Sequence, residues 1–326
     1  MPFHPPRRAL PALLLAGLAA PRVARAQAPW PDRPVRFVIP YPPGGSTDVI
    51  GRLVGNALGQ ELGQPVVIEN RGGATATIGS LMVSQSRPDG YTLLLSNIAS
   101  HAIAATLFRN LPYDPVRDFT HVALLVTTPT ILVVNPAFPA HSLADVVRLS
   151  QQAPGGLDMA SSGTGSSNHL LLVRFAELTG AKLNHVPYRG GGPAMTDVIA
   201  GTVPMMSDTL PSALPHLRGG AVRALAVSGP ERSPLVPEVP TFREAGIDLI
   251  NLPWYGLSAP AGLEPGIRDR LASAISKVLA APALRARLAE LGSEPGDMGP
   301  ADYTRFVGEE AKRWAPVVKA SGAQAD

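Results

Sequence analysis

Ile39-Pro40-Tyr41-Pro42-Pro43-Gly44-Gly45-Ser46-Thr47-Asp48 links an apolar run, Val35 to Ile39, to a set of residues at helical spacing: Val49, Ile50, Leu53, Val54, Ala57 and Leu58. The run reads as a short buried strand and the spacing as a helix. Proline fixes φ in the turn between them, and glycine leaves room for a guest. Ser46 and Thr47 are candidate N-caps, and Asp48 suits a first helical turn. The stretch therefore predicts a strand, a tight turn and an exposed helix N-terminus, whose free N–H groups favour an anion. An ordinary βα junction with a good cap reads the same way, so a second loop of this chemistry must decide.

Downstream the alternation continues. Val66 to Glu69 is a strand ending in Asn70-Arg71-Gly72-Gly73, Ile78 to Gln85 a short helix, and Tyr91 to Ser96 a strand ending at Asn97. Ser100 to Leu107 reads as a helical piece. Such alternation predicts βαβ units and a parallel sheet, with Tyr41, Asn70 and Asn97 at carboxyl ends facing one crevice. Leu124 to Asn135, broken at Thr127-Thr128-Pro129, is a candidate crossing to a second βα series. There Ser142 caps a helix, and Leu157 to Ser161 leads into Ser162-Gly163-Thr164-Gly165-Ser166-Ser167-Asn168-His169. Asn184 to Val186 leads into Tyr188-Arg189-Gly190-Gly191-Gly192-Pro193, and Val203 to Ser207 ends at Asp208. Leu252 to Ala259 can cross back. Helices begin at Pro265, Pro282 and Pro300, and Pro316 should kink or stop the last one.

Composition is read after setting the N-terminus aside. Arg7 and Arg8, the apolar Ala9 to Ala20 and the small-x-small Ala24-Arg25-Ala26 predict a signal peptide over residues 1–26, cleaved after Ala26. Those residues hold four arginines and no acid, so the remainder carries 24 basic against 25 acidic side chains, a net of −1. That balance gives no case for nucleic acid. About 300 mature residues suggest two domains. With no cysteine there is no disulfide and no thiol nucleophile. The expected product is an exported, soluble protein.

Two lobes thus present Gly-rich, hydroxyl-rich loops and helix starts, with few cations. Neutral donors of this kind suit a small carboxylate, since each hydrogen bond to a charged group contributes roughly 1.5–3 kcal/mol. The chain resembles the Bug-type solute-binding proteins, extracytoplasmic receptors of tripartite tricarboxylate transporters. The resemblance rests on PYPPGGSTD (Pro40–Asp48), GQPVVIEN (Gly63–Asn70), PDGYTLL (Pro88–Leu94) and LPYDP (Leu111–Pro115). It extends through HVPYRGGGPAMTD (His185–Asp197), DTLPSALPHL (Asp208–Leu217) and the Trp254–Gly262 segment, covering essentially the whole mature chain.

The resemblance implies a type II periplasmic binding protein fold: two α/β lobes joined by crossing strands, with a ligand cleft between them. Residues 27–127 and 251–326 would form one lobe, 128–250 the other. It implies a monomeric receptor for a small organic acid, gripped through main-chain groups and ordered water and passed to inner-membrane transporter subunits, with no cofactor. The family's first-lobe loop maps onto Tyr41, Gly45, Ser46, Thr47 and Asp48. Its second-lobe loops map onto Gly163 to His169, with Gly163, Thr164, Gly165, Ser166 and His169 as candidate contacts, and onto Tyr188 to Gly191, with Tyr188, Arg189 and Gly190. Its aspartate before Leu-Pro-Ser-Ala maps onto Asp208. Gly72-Gly73-Ala74-Thr75-Ala76-Thr77 departs from the family's usual Pro-Gly-Ala-Gly-Gly-Asn at the cleft border.

Each site residue has a plainer reading beside it. Asp208 could accept a ligand ammonium or hydroxyl, or cap the following helix. Arg189 could meet a second carboxylate, though a solvated arginine carries more weight. His169 could face the ligand or be structural, and Asn97 could bind or form a turn. Trp254 and Tyr255 are expected to pack at the hinge. Ser166, His169 and Asp208 do not make a hydrolase site: Gly163-Thr164-Gly165-Ser166-Ser167 lacks the Gly-x-Ser-x-Gly spacing, and Ser166 and His169 share one helix start. A ligand sensor without transport is the remaining alternative.

Overall fold

A computed structural model describes Met1 and residues 30–325; the expected leader lies outside the described residues. The chain runs β1 (Val35–Ile39), α1 (Ser46–Leu62), β2 (Val66–Asn70), α2 (Thr77–Ser84) and β3 (Thr92–Asn97). A π-turn at Ala99–Ile103 and the short α3 (Ala104–Leu107) lead to β4 (Phe119–Thr127) and β5 (Thr130–Val134). Next come α4 (Leu143–Gln152), β6 (Leu157–Ser161), α5 (Ser167–Thr179), β7 (Leu183–Pro187), α6 (Gly191–Ala200) and β8 (Met205–Thr209). The series closes with α7 (Leu210–Arg218), β9 (Arg223–Val227), β10 (Trp254–Pro260), α8 (Pro265–Ala280), α9 (Pro282–Glu290), β11 (Glu294–Pro295) and α10 (Pro300–Ala320).

The strands form two sheets. One has the order β11-β4-β10-β3-β1-β2, the other β7-β6-β8-β5-β9. Both are mixed rather than parallel, which corrects the expectation from sequence. β1, β2 and β3 are parallel, and so are β6, β7 and β8, but β10 runs antiparallel to β3 and β5 antiparallel to β8. The two-residue β11 also runs antiparallel, to β4 at the sheet edge; the other reversed strands, β10 and β5, are the two that arrive from the other lobe. Each enters at the end where the resident strands finish, so it must run the opposite way. In register, Tyr255 at the start of β10 faces Asn97 at the end of β3, and Thr130 at the start of β5 faces Thr209 at the end of β8. The connection geometry therefore places the resident carboxyl ends beside the crossings.

Local signals explain most elements. Ser142 caps α4 by accepting from the Asp145 amide. The cap of α1 differs from expectation: Gly45 is the N-cap, Ser46 and Thr47 are already helical, and no side chain caps through Gly45. Instead the Asp48 carboxylate reaches back to the Gly44 amide at 3.1 Å. Pro316 does not stop α10, which continues to Ala320. An internal proline forfeits one backbone hydrogen bond, but Tyr303, Val307, Trp314 and Val318 hold this helix by burying its apolar face.

Glu310 ties α10 to the crossing strand. Its buried carboxylate accepts from the indoles of Trp254 (2.9 Å) and Trp314 (3.2 Å) and pairs with Arg313. Glu310→Ala should destabilise the protein by about 2–4 kcal/mol, because two buried N–H donors lose their acceptor. Urea denaturation of the variant checks this; a loss under ~1 kcal/mol would show that the indoles find other partners.

Candidate functional site

The first-lobe side of the site is the turn between β1 and α1. The amides of Gly45, Ser46 and Thr47 donate to no protein group among the described residues, while Asp48 and Val49 amides already return to the Gly45 carbonyl. Asp48 is buried behind the turn, accepting from Gly44, Arg52 (3.0 Å) and Asn70 (2.9 Å). Burial pushes its carboxyl upward, but the bonds from Arg52, Asn70 and Gly44 outweigh this and hold it below the usual carboxylate range. Asn70 also donates to the Tyr41 carbonyl, so it braces the turn from β2. Asn97 caps the next segment: its Oδ1 accepts from the Ala99 and Ser100 amides, which leaves Nδ2 as the free, buried end.

The second-lobe side is built from three further helix starts. Ser166 is the N-cap of α5, accepting from the His169 amide. Gly190, at φ +126°, precedes α6, and Thr209 precedes α7. These ends meet the first-lobe turn around a cavity of about 210 Å³. Its walls include Tyr41, Gly45, Ser46, Thr47 and Asn97 from one side. Ser166, Arg189, Gly190 and Asp208 face them from the other. Ser46 and Ser166, from different lobes, thus share one space. A neighbouring space of about 490 Å³ continues along the cleft, bordered by Gly163, Thr164 and Tyr188 and by the 72–76 loop. In the inner cavity Arg189 is the single basic side chain and Asp208 the single acid. Arg189 is exposed and forms no hydrogen bond or ion pair among the described residues.

Three expected residues stand outside the lining of both spaces. Asp48 supports the turn as described. Gly165, at φ +72°, packs against Leu107 of α3, so a Cβ there would lie 2.2 Å from Leu107 Cδ2. His169 stacks on His185 with ring centroids 3.8 Å apart and accepts from the Gly165 amide at 3.1 Å. Burial, and then the neighbouring ring, push His169 down to about 4; burial does the same for His185. Both rings are therefore neutral in the folded protein at pH 7, while in the unfolded chain they protonate near 6.5. The unfolded state takes up protons first as pH falls, so their stability contribution is present above about 6.5 and is lost between there and about 4. Melting curves over this window should fall less steeply for a His169→Gln, His185→Gln double variant than for the parent. Equal slopes would show that the rings do not set this acid sensitivity.

Several lining residues escaped the sequence reading. Tyr255, expected at the hinge, lines the cavity and its hydroxyl meets Ser46 Oγ at 3.3 Å. Trp254 does pack under α10, on the other face of the strand. Two-residue alternation along β10 was the available clue separating them. Thr209 and Ser212 also line the cavity, at or just inside the start of α7, alongside Asn168 of the expected Gly163–His169 loop. The departing loop has an unusual backbone: Ala74, Thr75 and Ala76 all have positive φ (44°, 52° and 70°). Such left-handed residues are strained by about 1–2 kcal/mol each when a Cβ is present. The turn carries Thr75 across the cleft, where its hydroxyl donates to the Thr164 carbonyl at 3.0 Å.

Two lobes, crossing strands and a polar cleft lined by helix starts define a periplasmic-binding-protein-like receptor of the two-lobe type. A profile described as "Tripartite tricarboxylate transporter family receptor" matches residues 50–323. Protein BugT of Bordetella pertussis is 38% identical over 311 residues, spanning 95% of this chain and 94% of BugT. Among solved structures, Rpa4515 of R. palustris with adipate superposes with a TM-score of 0.87 at 34% identity, covering 90% of this chain and 99% of that one. MatC of Rhodopseudomonas palustris, with bound malate, gives 0.83 at 36% identity, covering 89% of this chain and 100% of MatC. The chain belongs to the tripartite tricarboxylate transporter receptor family, and it is a solute-binding receptor of the Bug type.

Proposed function

We propose that this receptor works in the periplasm, seats the carboxylate of a small organic acid in the inner cavity, and delivers it to inner-membrane transporter subunits. The observation that carries this is the convergence of four helix N-termini, those of α1, α5, α6 and α7, on one cavity with a single basic side chain. Each end adds a partial positive charge, and those of α1, α5 and α6 add free N–H donors; at α7 the Leu210 amide already donates to the Pro129 carbonyl and the next residue is proline. Together they favour a small anion without the cost of burying a cationic side chain. The lobes, residues 27–127 with 251–326 and residues 128–250, close on the ligand, and the Thr75–Thr164 hydrogen bond joins them across the mouth. The receptor acts as a monomer and releases its ligand chemically unchanged, as befits a receptor family, with Ser166 engaged in capping α5. The adipate and malate carried by its relatives support the choice of ligand class. The signal-peptide pattern of residues 1–26, with its expected cleavage after Ala26, supports the location.

A thermal-shift panel tests the reading. Mono-, di- and tricarboxylates, acidic amino acids and aromatic acids are compared with neutral sugars and simple cations. At about 100-fold excess over Kd, a ligand that binds only the folded state adds ~2.7 kcal/mol, a rise of ~5 °C or more for a chain this size. Shifts confined to sugars or cations would overturn the carboxylate assignment.

A further inference from the structure

The polar atoms left without partners in the inner cavity are of two kinds. Asn97 Nδ2 is a donor, fixed as such because Oδ1 is already taken by the Ala99 and Ser100 amides. With the free amides of Gly45, Ser46 and Thr47 it makes a donor set suited to a carboxylate. On the second lobe the unpartnered atoms are two acceptors, Asp208 Oδ2 and Asn168 Oδ1, and the Thr209 hydroxyl, which can accept or donate. All three residues line the same cavity and are at least nine-tenths buried, at 3%, 3% and 6% exposure. Asn168 spends its amide nitrogen on Ser162 Oγ, and Asp208 spends Oδ1 on the Thr209 amide. What remains is a buried acidic oxygen with only the Ser212 hydroxyl near enough to steady it, one amide oxygen with nothing to accept from, and the Thr209 hydroxyl.

A simple carboxylate does not answer that arrangement. It would place a second anion beside Asp208 and leave the Asp208 and Asn168 oxygens unfilled, which is costly for buried groups. A protonated amine brings three N–H donors and one positive charge. It would satisfy the acceptors and offset the buried carboxylate. Asp208 sits where this matters: its oxygens lie 3.0 and 3.2 Å from the place a Gly191 side chain would start, so the glycine gives it access at the α6 N-terminus.

We propose that the ligand is an aminocarboxylate, with its carboxylate on the first-lobe amides and Asn97 and its ammonium on Asp208, Asn168 and Thr209. This rests on the carboxylate reading above and narrows it. Burial raises the Asp208 carboxyl to about 6, only partly offset by the Ser212 hydroxyl and the Thr209 amide, so it is mostly ionised at pH 7.5. Tyr255, from β10, and Arg189, from the loop before α6, share the cavity with it. Burial moves the Tyr255 phenol upward, and the His169–His185 pair titrates near 4, so a change around pH 6 belongs to Asp208.

The test is calorimetric titration of the mature protein with matched acids that differ only in one substituent: succinate, malate and aspartate; glutarate, 2-hydroxyglutarate and glutamate; propionate, lactate and alanine. At pH 7.5 the amino member of any set that binds should be tighter by about tenfold or more, the scale of one charge-assisted hydrogen bond. That preference should shrink as pH falls through about 6, and Asp208→Asn should remove it. The pH series on the parent protein keeps the test decisive if the variant folds poorly. Hydroxy or unsubstituted acids binding as tightly as their amino counterparts would overturn the ammonium site and leave the carboxylate receptor standing. Binding of none of the acids would overturn both.

Discussion

Gly45→Leu should abolish ligand binding, lowering affinity by about 100-fold or more, while the unliganded protein melts almost where the parent does. The two halves of this result have separate causes. Gly45 adopts φ −85° and ψ 172°, an extended conformation open to any residue. A Cβ built on it meets nothing within 4 Å, so no neighbour has to move. Replacing an N-cap glycine by an apolar residue costs about 0.5–1.5 kcal/mol, and a stiffer unfolded chain returns about 0.4–1 kcal/mol. Stability should therefore stay within about 1 kcal/mol. The open space beside Gly45, however, borders the cavity of about 210 Å³, where the Gly45 amide is the proposed donor. Titration and melting curves on one sample read both halves. Unchanged affinity would remove the α1 turn from the site; a large stability loss would show the space is not open.

The opposite outcome is expected at Gly256, where the fold rather than the ligand is at stake. Gly256 lies in β10 between Ser96 of β3 and Leu124 of β4. A Cβ there would fall 1.9 Å from Tyr303 Oη and 2.1 Å from Cζ. The ring cannot easily yield. It is fully buried, its hydroxyl bonds to Ser96 Oγ at 2.9 Å, and it sits edge-on to Trp254. α10, which carries it, is tied to β10 through Glu310. Gly256→Ala should thus cost ~3 kcal/mol or more, at the upper end for overpacked cores. Urea denaturation measures it. In a Tyr303→Ala background the same substitution should cost much less, because its clash partner is gone. Equal costs in both backgrounds would mean that the strand, not the ring, sets the penalty.

The contrast between these two glycines marks how far the sequence could be read. Both sit in motif-like stretches, PYPPGGSTD and Trp254–Gly262, and nothing in their neighbours along the chain says which one faces a void and which faces a ring. The periodicities of 2 and 3.6 placed most strands and helices, because each element's apolar face is written in its own residues. They also flagged most of the loops that border the cleft, since glycine, serine and threonine before a helical pattern carry a local geometry. Sheet direction was missed, because parallel or antiparallel pairing depends on the end from which β5 and β10 enter. The continuation of α10 past Pro316 was missed for a similar reason: its packing against β10 is worth more than one lost hydrogen bond.

What the chain alone determined is the set of helix starts and small polar side chains, and with them the preference for an anion, since backbone dipoles follow from helix formation itself. Tertiary structure decided which of those groups share a cavity. It turned Tyr255 inward and set Gly165 and His169 one layer back. It also left one side-chain polar atom each of Asp208, Asn168 and Thr209 unpaired, on residues that line the same space. These outcomes depend on distances between residues far apart in sequence, and those distances are fixed by how two separate sheets pack and cross.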